Sequence, residues 1–306
     1  MNGILPLWKE RGMTSHDCVF KLRKILKTKK VGHTGTLDPN VEGVLPICIG
    51  QATRIAEYIT DAGKTYEAII SIGRATTTED AEGETVEQNT AYKSFNRTEI
   101  LAALEQLTGT ITQTPPMYSA VKVNGKKLYE YARAGQTVER PTRQITIYDL
   151  TLLDDADVFE GEQVQFAIRT ACSKGTYIRT LAVQIGEVLG YPAHMQSLVR
   201  TTSGSFTKEN CLTLAEVQEL MDNGQIANKI LPVEHALKDY PFIEIDETND
   251  KQISNGQVLE MHALLKQYDK IVYAKNGQAR AVYIAHSTKE NMMKPEKMFP
   301  ELEQEV

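Results

Sequence analysis

The sequence predicts an α+β fold, in which helices flank an antiparallel or mixed central sheet and a small β domain follows. Apolar periodicities typical of helices alternate with short extended runs, without the regular strand–helix–strand period of a parallel α/β protein. A proline-flanked, linker-like stretch then precedes short strands around Asn255 and Asn276, each followed by a glycine in a turn dipeptide. We therefore expect two domains, residues 1–238 and 239–306.

The elements of the larger unit follow from apolar periodicity and turn residues, with a helix beginning after Thr14 or Ser15. The other helices are expected at 52–59, 98–107, 177–189 and 214–221. The strands are expected at 4–8, 44–50, 65–73, 118–123, 144–153, 163–171 and 197–206. The stretch 76–90 is polar and acidic and has no apolar periodicity, so it is expected to be a long exposed loop.

The composition excludes several classes of protein. The 306 residues are 41% hydrophobic and 24% charged, which excludes intrinsic disorder, collagen-like structure and a small disulfide scaffold. The 34 Lys and Arg against 40 Asp and Glu give a net charge of −6, which excludes a uniformly basic coat but not a local basic face. No apolar run suits a signal peptide or approaches the roughly 18 residues of a membrane span. The sequence therefore indicates a cytoplasmic protein.

The four cysteines lie far apart, with no CxxC pair and no histidine at the spacing of a metal site. We expect them to be reduced and mostly buried, and we expect no metal. They are Cys18, Cys48, Cys172 and Cys211.

Charge is segregated along the chain. Residues 21–30 carry six Lys or Arg and no acid, and residues 120–145 carry six basic residues against two glutamates. Acidic residues concentrate in 74–87 and 234–251. One Lys-rich helix is usually a solvated face. Here the basic run leads into a Gly- and Thr-rich loop that contains a carboxylate, which favours an anionic partner, namely nucleic acid.

The loop at residues 31–43, VGHTGTLDPNVEG, is the most unusual stretch. Its three glycines allow a tight bend and the close approach of a ligand. Pro39 fixes its own φ and pushes Asp38 toward an extended conformation, so one carboxylate is presented at a rigid bend. An aspartate near Pro and Gly most often serves a turn or a helix cap, so the loop alone leaves both readings open.

A phosphate-binding alternative also exists. The loop lacks the Gly-Lys-Ser/Thr of a Walker A motif, and no G-x-G-x-x-G occurs. The run from His33 to Thr36 is similar to the His-x-Gly-His loop of nucleotidyl transferases, but Thr36 replaces the second histidine. A transferase of this kind would require a nucleoside triphosphate and Mg²⁺.

The run GHTGTLDPNVEGVLPICIGQATR resembles the catalytic motif of the bacterial TruB family, the tRNA pseudouridine-55 synthases. Four further stretches are similar to family motifs in the same order: KTYEAIISIGRATTTEDAEG, TPPMYSAVKVNGKKLYEYARAG, CSKGTYIRTLA and HMQSLVRTTSG. The resemblance covers about residues 2–235 and implies the pseudouridine synthase fold, with a mainly antiparallel sheet. The tail weakly resembles a PUA domain, a small RNA-binding β barrel.

The resemblance implies roles for individual residues. Asp38 would be the catalytic aspartate, Tyr66 the aromatic that stacks on the uracil and moves the proton at C5, and Arg179 the partner of Asp38. The residues implied in substrate binding are His33, which would contact the T loop, Leu198, which would line the uracil pocket, Lys64, Thr36 and Tyr177. The residues expected to contact RNA are Lys24, Lys27, Lys29, Lys30, Lys122, Lys126, Lys127 and Arg200.

The implied reaction isomerises uridine 55 in the T loop of tRNA, with the protein bound to the T arm and elbow as a monomer. It needs base flipping but no metal, cofactor or energy source. Asp38 could add to C6, attack C1′ or remove the C2′ proton through a glycal, and we favour the last route. The family's usual Leu-Arg-Arg-Thr reads Leu198-Val199-Arg200-Thr201 here, so one basic contact is absent.

Two other function classes stay open at this level. A non-catalytic RNA-folding protein could use the same pocket to open the tRNA elbow, and this role is compatible with catalysis. The nucleotidyl transferase is the second alternative.

Overall fold

The computed structural model describes residues 1–299, in which strands and short helices alternate. The strands are β1 (Gly3–Lys9), β2 (Val31–His33), β3 (Glu42–Ile49), β4 (Lys64–Ile72), β5 (Arg74–Thr76), β6 (Thr85–Gln88), β7 (Lys93–Asn96), β8 (Gly109–Gln113), β9 (Lys122–Val123), β10 (Lys126–Lys127), β11 (Arg143–Leu152), β12 (Val158–Gly161), β13 (Val164–Cys172), β14 (Ala193–Ser203), β15 (Phe206–Thr207), β16 (Phe242–Glu244), β17 (Leu259–Glu260), β18 (Ile271–Lys275), β19 (Gln278–Ala285) and β20 (Met292–Met298). The α-helices are α1 (Ser15–Ile25), α2 (Ala56–Asp61), α3 (Arg97–Gln106), α4 (Leu128–Arg133), α5 (Ile178–Leu189), α6 (Leu214–Asp222) and α7 (Asp250–Ser254).

A mixed sheet of nine strands forms the centre of the described chain. Its main path runs β1-β3-β14-β4-β13-β11-β8, with β2 paired to β3 and β15 paired to β14. The strands pair antiparallel except β14 with β3, which run parallel. The predicted mixed, mainly antiparallel sheet is confirmed. Strand β14 lies between β3 and β4 and so connects the two halves of the sheet.

Local signals explain where the flanking helices begin and end. Thr14 caps α1: its hydroxyl accepts a hydrogen bond from Asp17 N at 3.0 Å, and the Asp17 carboxylate accepts one from Thr14 N at 2.8 Å. This reciprocal capping box satisfies two main-chain donors that helix geometry leaves free. Helix α5 ends at Gly190, whose φ of 80° is the left-handed conformation that glycine tolerates best.

Two expected elements differ in the structure. Residues 76–90 are exposed at β6, as expected, but they are not a long loop, because β5 and β6 pair as a hairpin. Thr76 is buried, and Thr76 Oγ1 donates to Asp80 O at 2.6 Å. The expected strand at 118–123 is reduced to β9, which pairs with β10. The hairpin is stabilised by side-chain hydrogen bonds and not by an apolar face. Its sequence therefore lacks the apolar periodicity from which strands are predicted.

The second sheet has the order β16-β18-β19-β20-β17 and lies in the tail, as expected. It shares a hydrophobic cluster with the central sheet: Ile4 and Val44 join the same cluster as Leu237, Val282 and Phe299. The tail therefore packs against β1 and β3.

Candidate active site

A cavity of about 420 Å³ opens at the centre of the main sheet. It is bounded by the loop that carries Asp38, by β4 and β14, by the start of α5 and by the segment around Tyr118. The residues predicted from sequence that line it are Thr36, Asp38, Lys64, Tyr66, Tyr177, Arg179, Leu198 and Arg200. Residues separated by up to 164 positions are thus brought to one site, since Thr36 and Arg200 both line it.

The loop that presents Asp38 is fixed from two sides. The buried ammonium of Lys9 donates hydrogen bonds to Pro39 O at 3.1 Å and to Val41 O at 2.6 Å. The Ser15 hydroxyl accepts a hydrogen bond from Leu37 N at 2.8 Å. These contacts on either side of Asp38 hold the main chain of the bend, so the carboxylate needs little ordering when a ligand binds.

Gly43, at the end of this loop, has a φ of 138°. A Cβ at this position would collide with the main chain of Arg200, because β3 and β14 approach closely where they run parallel. A glycine is therefore required at this position, both for its φ and because there is no space for a Cβ.

Arg179 is the partner of the Asp38 carboxylate in this geometry. Its Nη2 lies 3.2 Å from Asp38 Oδ2, and its side chain is 7% exposed. Nη1 donates to Thr78 O at 3.1 Å and Nη2 donates to Tyr118 O at 2.9 Å. Asp80 Oδ2 lies 3.9 Å from Nη1. Three contacts with other segments thus orient the guanidinium toward Asp38.

Tyr66 and Leu198 form an apolar wall of the cavity. They lie on the neighbouring strands β4 and β14, where Leu198 pairs with Ala68 and Arg200 pairs with Tyr66. Tyr66 is 8% exposed. Burial raises the pKa of its hydroxyl, and the nearby Arg200 charge opposes this shift. The hydroxyl therefore carries its proton at neutral pH.

Arg200, which the sequence predicts to contact RNA, is almost fully buried. It is 1% exposed, and its guanidinium donates from Nε to Val44 O at 2.7 Å and from Nη2 to Gly35 O at 3.3 Å. These contacts enclose the side chain beneath the loop and the cavity. The predicted RNA contact of Arg200 stays a prediction, and the position of Arg200 in the lining of the cavity limits it to a nucleotide that enters the cavity.

Lys64 and His33 support the same region. Lys64 Nζ donates to Thr60 O at 2.7 Å and Ala62 O at 2.9 Å, at the end of α2. Burial, with the Arg200 charge, lowers the pKa of Lys64 to about 8. His33 Nδ1 accepts a hydrogen bond from Gly35 N at 3.3 Å, and burial lowers its pKa. Unlike Lys64, His33 is not among the described residues that line the cavity.

The predicted RNA-contact lysines lie on the surface, with Lys127 half-buried. Aromatic rings accompany several of them: Lys24 Nζ lies 4.4 Å from the ring centre of exposed Phe20, and Lys127 Nζ lies 5.4 Å from that of Tyr129. Tyr129 also lines the cavity, so this part of the basic surface reaches the site. A positively charged surface that also carries aromatic rings is typical of proteins that bind single-stranded nucleic acid.

Sequence reasoning assigned no role to several residues of the site. Thr78, Glu79 and Asp80 come from the hairpin that was expected to be solvent-exposed, and Tyr118 from a segment expected to be a strand. All four residues lie in stretches that are similar to TruB family motifs. This similarity is the sequence signal that could have identified them.

Within residues 1–299, no group of three or more His, Cys, Asp and Glu side chains is arranged to hold a metal ion. The helices of the same range include none that is long and apolar enough to cross a membrane.

Comparison with known proteins places the chain in a family. The family model described as TruB family pseudouridylate synthase (N terminal domain) matches residues 23–178. The model described as tRNA pseudouridylate synthase B C-terminal domain matches residues 179–238. A chain in the crystal structure of a Cbf5-Nop10-Gar1 complex has the same fold, with a TM-score of 0.71 and 28% identity over 97% of this chain and 85% of that chain.

Full-length relatives agree. The tRNA pseudouridine synthase B of Listeria innocua is 55% identical over 306 residues, covering 99% of this chain and 100% of the relative. That of Geobacillus thermodenitrificans is 54% identical over 301 residues, covering 98% of this chain and 100% of the relative. That of Bacillus cytotoxicus is 52% identical over 299 residues, covering 98% and 97%. The chain therefore belongs to the TruB family of tRNA pseudouridine synthases, which are isomerases.

Proposed function

We propose that the chain isomerises uridine 55 in the T loop of tRNA to pseudouridine, with Asp38 as the catalytic carboxylate. The observation that carries the proposal is the Asp38–Arg179 pair at 3.2 Å, beside a cavity whose wall holds Tyr66 and Leu198. The Asp38 side chain is 43% exposed, so its carboxylate is accessible to a ligand. The cavity volume is within the range of small-molecule pockets, about 300–1,000 Å³.

The reaction breaks the N1–C1′ bond and forms the C5–C1′ bond of the same nucleotide. The uridine must leave its stack, which costs a few kcal/mol, and stacking on Tyr66 offsets part of this cost. Arg179 holds Asp38 in place and stabilises its negative charge. We favour removal of the C2′ proton by Asp38 as the N1–C1′ bond breaks. The proton returns to C2′ as C5 bonds to C1′, and the C5 proton is then lost while N1 gains a proton. The Tyr66 hydroxyl would take part in the proton transfer at C5.

The substrate surface extends from the cavity over the basic residues. The T arm and elbow would contact the lysines of 21–30 and 120–145, while His33 would contact the T loop. The tail, residues 239–306, would form a second domain that supports the acceptor end, and residues 300–306 lie outside the described range. We expect one copy of the chain to bind one tRNA in the cytoplasm.

Unmodified tRNA incubated with the protein, in EDTA and without nucleotide, tests the function. Pseudouridine mapped at position 55 supports it, and its absence contradicts it. Dependence on a nucleoside triphosphate and Mg²⁺ would instead favour a nucleotidyl transferase. Asp38→Asn should abolish product while T-arm binding persists, which also measures any tRNA-folding activity that does not require chemistry. Full isomerisation by this variant would refute the role of Asp38.

A further inference from the structure

Two hydrogen bonds join the β5–β6 hairpin to the first turn of α5. Arg179 Nη1 donates a hydrogen bond to the main-chain oxygen of Thr78 at 3.1 Å. One residue further along each segment, Thr180 Oγ1 donates to Glu79 Oε2 at 2.7 Å. The two hydrogen bonds link adjacent residues of the hairpin, Thr78 and Glu79, to adjacent residues of α5. The carboxylate of Glu79 therefore fixes the segment that carries the Thr78 oxygen.

Glu79 holds an unusual main-chain conformation. Its φ is 63°, in the left-handed region that residues other than Gly and Asn seldom adopt. Its main-chain oxygen accepts a hydrogen bond from Met195 N at 3.0 Å. A non-glycine residue stays in this region when its surroundings over-determine it, and such residues cluster at functional sites. Here Met195 on β14 and Thr180 on α5 both bind Glu79 and hold it in this conformation.

The charges around Glu79 are those of the site. Arg179 and Arg140 lie close enough to favour its negative form, as does the Thr180 hydroxyl, while Asp80 opposes it. Burial is the largest effect and raises the pKa of the Glu79 carboxyl. Glu79 therefore lies within the electrostatic surroundings of Arg179 without contacting the cavity.

We propose that Glu79 is a positioning residue: by binding Thr180, it holds the Thr78 oxygen against Arg179 and so sets the alignment of Arg179 with Asp38. The inference rests on the proposed function, because alignment matters only if Asp38 performs the chemistry. A small displacement of Arg179 should reduce the rate of the chemical step more than the affinity for RNA.

The experiment is a double-mutant cycle of Glu79→Asn and Thr180→Val. Asparagine tolerates the left-handed conformation but is too short to reach Thr180. Valine keeps the shape of threonine without the hydroxyl. Thr180→Ser keeps the hydroxyl and is the conservative variant, and Glu84→Asn changes an exposed glutamate of the same hairpin. The measurements are the single-turnover rate with saturating tRNA, the Kd for tRNA and the unfolding temperature.

We expect Glu79→Asn and Thr180→Val each to lower the single-turnover rate roughly tenfold, with an unchanged Kd. The double variant should be no slower than either single variant, and Thr180→Ser and Glu84→Asn should stay within about twofold of wild type. Single-variant rates near wild type, or effects that multiply in the double variant, would overturn the inference. If Glu79→Asn fails to fold, the comparison of Thr180→Val with Thr180→Ser still decides.

A failure of the proposed function and a failure of the positioning role give different experimental results. A wild-type protein that forms no pseudouridine contradicts the function itself. An active wild type with unaffected Thr180→Val contradicts the positioning role alone.

Discussion

Arg179 Nη2 donates a hydrogen bond to the main-chain oxygen of Tyr118 at 2.9 Å, and the same nitrogen lies 3.2 Å from Asp38 Oδ2. A single planar group therefore joins the loop of Asp38 to the segment that precedes the basic strands β9 and β10. The relationship is specific to a guanidinium, since its donors have fixed directions.

We expect Arg179→Lys to lower the rate of pseudouridine formation about 100-fold, because an ammonium cannot make the contacts with Asp38, Thr78 and Tyr118 together. Single-turnover assays with saturating tRNA measure this. The exposed pair Arg169–Glu67, 2.8 Å apart, supplies the control: Arg169→Lys should leave the rate near wild type. Equal rates for the two variants would contradict the role of Arg179.

We expect Tyr66→Phe to bind tRNA normally but to turn over more slowly, because the ring remains for stacking while the hydroxyl is lost. The expected loss is in the range of about 10²–10⁴-fold that general acid–base groups contribute. Tyr148→Phe, at a tyrosine that is 61% exposed, is the control. Near-normal turnover of Tyr66→Phe would exclude a proton-transfer role for the hydroxyl.

We expect a variant with Lys24, Lys27, Lys29 and Lys30 changed to Gln to bind tRNA more weakly and with a flatter salt dependence. Each lost phosphate contact should reduce the slope of log K against log salt by about 0.7–0.9. Binding titrations at several salt concentrations measure the slope. A slope equal to that of wild type would mean that this run is only a solvated face.

Lys64 should make stability depend on pH in the alkaline range. Its pKa is about 8 in the folded chain instead of the ordinary 10.5, so between these values the unfolded chain binds the proton and the folded chain does not. The free energy of unfolding of wild type, relative to Lys64→Met, should therefore rise as the pH rises from 8 to 10.5. Denaturant unfolding at several pH values measures the difference, and a constant difference would contradict the depressed pKa.

The sequence predicted those parts of the molecule whose signals are local. The capping box of Thr14 and Asp17, the glycine after α5 and the buried strands all depend on residues a few positions apart, and the structure agrees. The geometry of Asp38 was predictable in kind, because Pro39 and the glycines constrain the loop. Arg179, 141 positions away, was linked to it by resemblance alone.

The remaining features depend on contacts between distant segments. The partial burial of Glu79 and Asp80 in the hairpin after β4 is not predictable from the sequence, because no periodicity shows that Thr180, Arg179 and the Thr78 hydroxyl will contact these two acids. The burial of Arg200 is not visible in the sequence, because a strand alone does not show what will pack over its two faces. The loop of Asp38 covers the side chain, and the guanidinium donates hydrogen bonds to Gly35 O in that loop and to Val44 O.

The cluster shared by the two sheets has a consequence for the order of folding. Ile4 lies on β1, yet it joins the same cluster as Val282 and Phe299, which come much later in the chain. Its main-chain N–H is bonded to Leu231 O at 2.7 Å. Contacts over such separations form late, since loop closure must precede them. During synthesis, Ile55 and Phe206 can cover part of this cluster early, but the part that packs against Val282 and Phe299 stays uncovered until those residues have emerged. Premature association at this uncovered part is the most costly.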